Sequence, residues 1–163
     1  MSTSHTDAHH FECRLVWTGA AKGSTLDYEA YSREHRIDGR GKATSISGTA
    51  ALPFRGDAAR WNPEEMLVAS LSACHFLSYV ALCARAGIPV IAYEDEATGV
   101  MSKVDRVMRF TEVVLHPRVT IAGGADPEKA RALHEKAHAI CFIANSVNFP
   151  VRNDPTIHVA APV

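Results

Sequence analysis

The sequence predicts an α+β fold in which antiparallel β-sheets surround two long central helices. Short alternating stretches occupy residues 11–52, an apolar helical stretch follows at 62–87, and two strand-like stretches then precede a second helix. This order favours antiparallel sheets, because a doubly wound parallel fold needs strands and helices in regular alternation. The length suits one hydrophobic core, so we expect a single domain over 1–163, with 1–10 loosely ordered or disordered.

The N-terminal third is predicted to form an antiparallel meander. Its central stretch, 25–31, alternates so that Leu26 and Tyr28 fall on one face, as in a half-buried strand. The stretches 11–17 and 43–50 are predicted to be its neighbours in the sheet.

The first helix has clear start and stop signals. Asn62 is a favourable N-cap, Pro63 suits the first helical position, and Glu65 completes a capping box. Gly87 ends the helix and Pro89 prevents its continuation. Because the residues between are apolar or small on nearly every face, we expect the helix to lie in the core or in a subunit interface.

The remaining chain completes the α+β pattern. Two long strands are predicted at 90–104 and 107–121. A second helix is predicted to begin at Asp126 and Pro127 and to extend to about Ala144. The stretch 156–160 is predicted to be a final short strand.

Composition and charge exclude several partners and locations. The formal net charge of −1 gives no reason to expect a nucleic acid or an anionic membrane as partner. No apolar run is judged long enough for a transmembrane helix, and residues 1–10 lack a hydrophobic signal region. We therefore expect a cytoplasmic protein, whose four cysteines, none in a CxxC pair, are buried small side chains or reactive thiols rather than structural disulfides.

Cys74 lies in the middle of the first helix, with Ser70 and Ser78 on the same face. Such a stripe of small polar residues either lines a pocket or permits close helix packing. Cys83 lies nine residues further on, roughly 13 Å along the helix axis, and therefore cannot pair with Cys74. We assign Cys83 and Cys13 structural roles.

The second helix carries His134, His138 and Cys141 on one face. This cluster has three interpretations. It could supply zinc ligands, together with Cys74 or His75. The histidines could instead be polar neighbours of a thiol that changes its oxidation state, or they could face solvent on an amphipathic helix.

Glu64 is a candidate partner for an arginine that activates a thiol. A thiol is nucleophilic as thiolate, an arginine stabilises the thiolate, and a carboxylate fixes the arginine's orientation. Glu64 precedes Cys74 by ten residues, about 15 Å along the helix axis. If both belong to one site, Glu64 must come from a second copy of the chain. Otherwise it complements the positive end of the helix dipole.

The motif Asn62-Pro63-Glu64-Glu65, followed by Cys74 and by His138-Ala139-Ile140-Cys141, resembles the OsmC/Ohr family, and Phe54-Arg55-Gly56-Asp57 is similar to its arginine-bearing loop. The resemblance implies an α+β fold and an intertwined homodimer with composite active sites at the interface. It also implies the reduction of peroxides, in many members organic hydroperoxides, without a metal or organic cofactor.

The resemblance assigns a role to each matching residue. It makes Cys74 the peroxidatic cysteine, Cys141 the resolving cysteine and Glu64 the carboxylate that orients the arginine. Two positions depart from the common family pattern: His75 stands where phenylalanine is common, and Phe142 stands where many members have proline. These departures indicate a distinct branch, with a substrate that the motif does not define.

The activating arginine is assigned from its motif to Arg55. Arg33 and Arg40 are secondary candidates, because family branches take this arginine from different loops. His75 and His138 are secondary candidates as titratable neighbours of the reactive sulfurs.

The predicted function is that of a thiol-dependent peroxidase in defence against oxidative stress. A Cys74 sulfenic acid forms first, Cys141 converts it to a disulfide, and an external thiol, such as a lipoyl-bearing protein, regenerates the enzyme. Three alternatives remain open: a metal-binding protein, a small-ligand-binding module of the same fold without peroxidase activity, and a thiol-dependent hydrolase.

Overall fold

The structure, a computed structural model, describes residues 8–161 of the chain. The chain falls into two units, Met1–Met66 and Leu67–Val163, each with its own internal contacts. A single domain over 1–163 stays a prediction. The expectation for residues 1–10 concerns mainly 1–7, which lie outside the described residues.

The N-terminal unit contains a three-stranded antiparallel sheet. Its strands are β1 (Arg14–Val16), β2 (His35–Asp38) and β3 (Ile46–Gly48), in spatial order β1-β2-β3. Two short 3₁₀ turns accompany the sheet: Thr18–Lys22 lies between β1 and β2 in sequence, and Leu52–Phe54 follows β3. The predicted meander is therefore present, but its central strand is 35–38.

The predicted strand at 25–31 is wrong. These residues form turns, and Leu26 is 96% exposed. The physical reason is local: the backbone N–H of Glu29 donates to Asp27 Oδ1 at 2.9 Å, and that of Tyr31 donates to the Asp27 carbonyl at 3.1 Å. A side chain that hydrogen-bonds its own backbone competes with strand pairing, and this competition outweighed the alternating pattern.

Helix α1 (Pro63–Arg85) begins with the predicted capping box. The N–H of Glu65 donates to Asn62 Oδ1 at 2.8 Å, and the N–H of Asn62 donates to Glu65 Oε2 at 3.3 Å. Gly87, with φ of 68°, provides the left-handed residue that follows the helix. Start, stop and cap were all predicted correctly within two residues.

The apolar character of α1 requires a correction. By length and composition alone, this helix could cross a membrane, with a mean hydropathy of 1.8, whereas no such run was predicted. The prediction failed because serine, alanine and cysteine interrupt the run of large aliphatic residues. The mean hydropathy nevertheless stays in the range of helices that can cross a membrane. Only 22% of the apolar window is buried within the chain. The buried residues lie four apart, on one face: Leu71, His75, Tyr79 and Cys83.

Each of the two long predicted strands is divided in two. The structure has β4 (Val90–Asp95), β5 (Thr98–Val104), β6 (Val107–Leu115) and β7 (Pro117–Ile121). One break separates β4 from β5, and the other separates β6 from β7. Asp95, at the first break, is linked to the second, because its Oδ1 accepts a hydrogen bond of 2.7 Å from the backbone N–H of His116.

The C-terminal unit contains two mixed three-stranded sheets. Their orders are β4-β7-β9 and β5-β6-β8, where β8 is Val151–Asn153 and β9 is Thr156–Val159. The β4–β7 and β5–β6 pairs are antiparallel, whereas β8 and β9 each add in parallel. The α+β class and the last strand are confirmed. The two parallel pairs were not predicted.

Helix α2 (Pro127–Ile140) is capped by Asp126, whose Oδ1 accepts from the N–H groups of Glu128 and Lys129. It ends four residues earlier than predicted, because Cys141 has extended torsion angles. Side chains from α1, α2 and the β4-β7-β9 sheet share one core: Tyr79, Cys83, Ile88, Val119, Ile121, Ala130, Leu133 and Ala137. A second core around Leu71 packs against β6 and β8.

Candidate functional site

The thiols of Cys74 and Cys141 lie together in the C-terminal unit, and both are free. Cys74 is half-buried on α1, whereas Cys141, directly after α2, is 1% exposed. Burial raises the pKa of the Cys141 thiol to about 11, and the neighbouring Cys74 thiol contributes to the increase. Cys141 is therefore a neutral thiol near pH 7, next to a more accessible one.

Asn145 fixes the backbone on which Cys141 stands. Its side-chain amide donates to the carbonyls of Ala139 and Cys141, at 3.1 and 2.9 Å. Its backbone N–H also donates to the Cys141 carbonyl, and the N–H of Ala144 donates to the Cys141 sulfur at 3.5 Å. Asn145 had no predicted role. The available signal was an asparagine shortly after a helix end, where its amide can satisfy free carbonyls.

His75 and His134 form a buried pair behind the cysteines. His75 Nε2 and His134 Nδ1 are 2.9 Å apart, and each residue is 1% exposed. Tyr79 stacks on His134, with ring centroids 3.8 Å apart. Burial lowers the pKa of His75 to about 4 and that of His134 to about 3, so both are neutral at pH 7. The interpretation that His134 faces solvent is wrong.

The remaining cysteines and His138 occupy different environments. Cys83 is buried in the core, where desolvation raises the pKa of its thiol, in agreement with a structural role. Cys13 is exposed and so contributes no core packing. His138 is half-buried in the last turn of α2, and its proximity helps to lower the pKa of His75.

Within residues 8–161, no group of three or more histidine, cysteine or carboxylate side chains is arranged to hold a metal ion. The nitrogens of His75 and His134 that face each other are joined by their hydrogen bond. The zinc interpretation of the second helix therefore finds no support in the described part of the chain.

The N-terminal unit contains a cavity of about 540 Å³ whose lining residues include a candidate arginine and the candidate carboxylate, Arg33 and Glu64. The Glu64 Oε2 atom is buried and has no hydrogen-bond partner among the described residues. The surrounding side chains are largely apolar or aromatic, and include Leu15, Trp17, Tyr31 and Phe54.

Arg33 is held in a defined orientation within this cavity. Its guanidinium nitrogens donate to the carbonyls of Tyr31 and Tyr28, at 2.5 and 2.6 Å. The guanidinium carbon lies 3.7 Å from the centre of the Tyr31 ring, a cation–π contact. These contacts come from the turn region that was predicted to be a strand.

The other two candidate arginines lie elsewhere in the unit. Arg55, at a left-handed φ of 66° after the second 3₁₀ turn, forms an ion pair with Glu29 and does not line the cavity. Arg40 pairs with Glu12 at 3.1 Å on the surface. Glu64 and Arg33, the secondary candidate, thus line the same cavity. Arg55, the first choice, does not line it.

The fold defines a class of small α+β proteins with two long helices, and the NPEE helix start and the neighbouring thiols of Cys74 and Cys141 accompany it here. A model of the OsmC-like protein family matches residues 56–154, more than half of the chain. The chain therefore belongs to the OsmC-like protein family.

Several known proteins are similar over most of their length. An OsmC-like protein of unknown function from Vibrio cholerae is 30% identical, with a TM-score of 0.82, and the match covers 91% of this chain and 100% of that one. The protein YmaD of Bacillus subtilis, itself uncharacterised, is 22% identical over 142 residues, which are 85% of this chain and 87% of YmaD.

An organic hydroperoxide resistance protein from Elizabethkingia anophelis shares the fold. It has a TM-score of 0.69 at 17% identity, and the match covers 95% of this chain and 99% of that chain. OhrB of Bacillus subtilis, also an organic hydroperoxide resistance protein, matches with a TM-score of 0.59 at 18% identity, over 90% of this chain and 98% of that one. These two likenesses concern the fold.

Proposed function

We propose that this protein is a thiol peroxidase that reduces organic hydroperoxides through Cys74 and Cys141, in defence against oxidative stress. The observation that carries the proposal is the contact between two free thiols, one half-buried on α1 and the other buried directly after α2. The names of the two structurally similar hydroperoxide resistance proteins support the same class of substrate.

The exposure of the two cysteines supports the order of their reactions. Cys74, the more accessible, attacks the terminal oxygen of the hydroperoxide as thiolate; the O–O bond breaks, the alkoxide takes a proton from solvent and leaves as an alcohol, and Cys74 becomes a sulfenic acid. The Cys141 sulfur then bonds to the Cys74 sulfur. Because its pKa is raised, the Cys141 thiol still carries its proton, which leaves with the sulfenic hydroxyl as water.

Arg33 and Glu64 are proposed to stabilise the Cys74 thiolate and to polarise the peroxide. Arg33 is preferred over Arg55 because it shares the cavity with Glu64 and is held by two carbonyl hydrogen bonds. Since Glu64 and Cys74 lie ten residues apart on one helix, about 15 Å along its axis, we propose that Glu64 acts on the Cys74 of a second copy.

A homodimer with composite active sites follows from that assignment. The exposed apolar side chains of Phe76 and Leu77 on α1, and of Phe142 after α2, support it. Because one face of α1 is buried against protein, we assign its exposed face to a second copy rather than to lipid.

A cytoplasmic location and reduction by an external thiol, such as a lipoyl-bearing protein, complete the proposal. The proposed chemistry uses the protein's own sulfurs and needs no cofactor.

Peroxide consumption by cysteine variants tests the proposal. With cumene hydroperoxide and a dithiol reductant, the wild type is expected to turn over repeatedly, and Cys74→Ser to consume no peroxide. Cys141→Ser should consume about one equivalent per chain without added thiol. Cys83→Ser is the matched control and should retain turnover. Equal activity in wild type and Cys74→Ser would contradict the proposal and favour a ligand-binding role for the same fold.

A further inference from the structure

Two buried hydrogen bonds join α1 to α2 inside the C-terminal unit. One links His75 Nε2 and His134 Nδ1 at 2.9 Å, and in the other the Tyr79 hydroxyl donates to the Ala130 carbonyl at 3.2 Å. His75 and Tyr79 are one turn apart on α1, as are Ala130 and His134 on α2. The two contacts follow opposite directions along the helices, so together they define one antiparallel register.

The hydrogen bond between His75 and His134 fixes α2 against the part of α1 that carries Cys74. Cys74 directly precedes His75, and Cys141, which follows the end of α2, lies seven residues beyond His134. A slip of one helix by a single turn moves a side chain by roughly 5.4 Å. Because a disulfide needs Cα atoms within about 7 Å, such a slip would separate Cys74 from Cys141.

Burying two imidazoles at this position costs free energy of desolvation. Apolar side chains of similar size would pack without the cost of desolvating polar nitrogens, and His134 Nε2 is buried with no hydrogen-bond partner among the described residues. A hydrogen bond is directional and therefore selects one register, whereas two apolar surfaces tolerate several. Burial keeps the pKa of both imidazoles well below 7, so the neutral pair persists at physiological pH.

We propose that the hydrogen bond between His75 and His134 is a positioning pair that sets the register of α1 against α2 and so holds Cys141 within reach of oxidised Cys74. The inference rests on the proposed function for the identity of the step concerned. In that step the S–S bond forms as the S–O bond of the Cys74 sulfenic acid breaks, and the hydroxyl leaves with the Cys141 proton as water. The preceding attack on the hydroperoxide does not use Cys141 and therefore does not depend on the pair.

Conservative variants at position 134 separate positioning from packing. An asparagine amide lies where Nδ1 lies in histidine, and a glutamine amide lies further out, near Nε2. After one equivalent of cumene hydroperoxide in a rapid-quench experiment, His134→Asn should form the Cys74–Cys141 disulfide within about threefold of the wild-type rate. His134→Gln and His134→Leu should be about tenfold slower, the size expected for one lost hydrogen bond. Sulfenic acid formation at Cys74 should stay within about twofold in all three.

Two results would overturn the positioning role. One is disulfide formation at the same rate in His134→Asn, His134→Gln and His134→Leu. The other is a parallel loss of sulfenic acid and disulfide formation, which a general structural defect produces. If a position 134 variant does not fold, variants of the partner residue provide the test. His75→Gln retains a polar group near the position of Nε2, so it should form the Cys74–Cys141 disulfide faster than His75→Asn, by a similar factor.

The equilibrium with glutathione distinguishes failure of this inference from failure of the proposed function. In mixtures of reduced and oxidised glutathione, the effective concentration of the Cys74–Cys141 pair should fall about tenfold in His134→Gln and His134→Leu, but not in His134→Asn. A wild type that forms no sulfenic acid would refute the peroxidase proposal alone. Equal effective concentrations in all variants would refute the positioning pair alone.

Discussion

The two regions that carry candidate chemistry differ in how their polar groups are satisfied. In the C-terminal unit, side chains pair with side chains: buried His75 with buried His134, and half-buried Cys74 with buried Cys141, although the Nε2 atom of His134 has no partner among the described residues. In the N-terminal unit, Arg33 is held by backbone carbonyls and a tyrosine ring in a cavity, and a buried oxygen of Glu64 has no partner among the described residues.

The two regions therefore suit different steps of the proposed reaction. Thiol–disulfide chemistry needs two sulfurs at a fixed separation, and the helix-packed core provides that constraint. Stabilising a thiolate and a peroxide needs oriented charge beside an open volume, which the cavity of the N-terminal unit provides. Substitutions in the cavity should therefore affect the first step, and substitutions in the helical core should affect resolution and stability.

The largest expected effect concerns the arginine in the cavity. Arg33→Ala should lower kcat/KM for cumene hydroperoxide by about a hundredfold, the usual loss for one oriented charge donor. Arg55→Ala is the matched control and should lower it less than about threefold, because Arg55 pairs with Glu29 away from the cavity. A larger loss in Arg55→Ala than in Arg33→Ala would restore the assignment made from the sequence motif.

Acidification should destabilise the C-terminal unit through its histidines. Burial lowers the pKa of His75 from 6.5 to about 4 and that of His134 to about 3. The unfolded chain therefore binds protons first, and the free energy of unfolding falls as the pH decreases through 6.5 toward 4. The charge of Asp95 partly opposes the lowering of the pKa of His75, whereas His138 adds to it. Arg131 adds to the lowering of the pKa of His134.

Urea unfolding at pH 7 and pH 5 measures this effect. The wild type should lose on the order of 4 kcal/mol more, about 2 kcal/mol for each histidine, than the double variant His75→Gln/His134→Asn, which keeps polar groups but removes both imidazoles. An identical pH dependence in the two proteins would mean that the histidine pair is not responsible.

The smallest predicted effect concerns Asn145. Asn145→Ala removes two side-chain hydrogen bonds to the end of α2 and should cost about 1 kcal/mol of stability. Because the backbone of Cys141 becomes less fixed, disulfide formation should slow by roughly threefold. Asn148→Ala is the control, and an equal loss in both variants would show that the effect is not specific to the Cys141 carbonyl.

Local signals predicted the elements whose causes are local. The capping box at Asn62 and Glu65, the glycine stop and the N-cap at Asp126 depend on residues within one turn, and the structure has each of them. The strand predicted at 25–31 failed because alternation carried no information about the Asp27 side chain, which stabilises a turn.

The candidate site could be predicted only in part, because its contacts join residues far apart in sequence. The spacing of His134, His138 and Cys141 placed them on one helix face but did not reveal what that face meets. The hydrogen bond between His75 and His134 joins residues 59 positions apart, so it depends on helix packing. For the same reason, the choice of Arg33 over Arg55 follows from the cavity and not from a motif.

Peptide mapping by mass spectrometry, on the reduced protein after one equivalent of cumene hydroperoxide, shows directly which cysteines react. We expect a Cys74–Cys141 disulfide in the wild type within seconds. Cys141→Ser should instead carry a sulfenic acid on Cys74, and Cys13 and Cys83 should stay reduced in both. Wild-type thiols that all remain reduced at millimolar peroxide, or a disulfide that excludes Cys74, would contradict the peroxidase proposal.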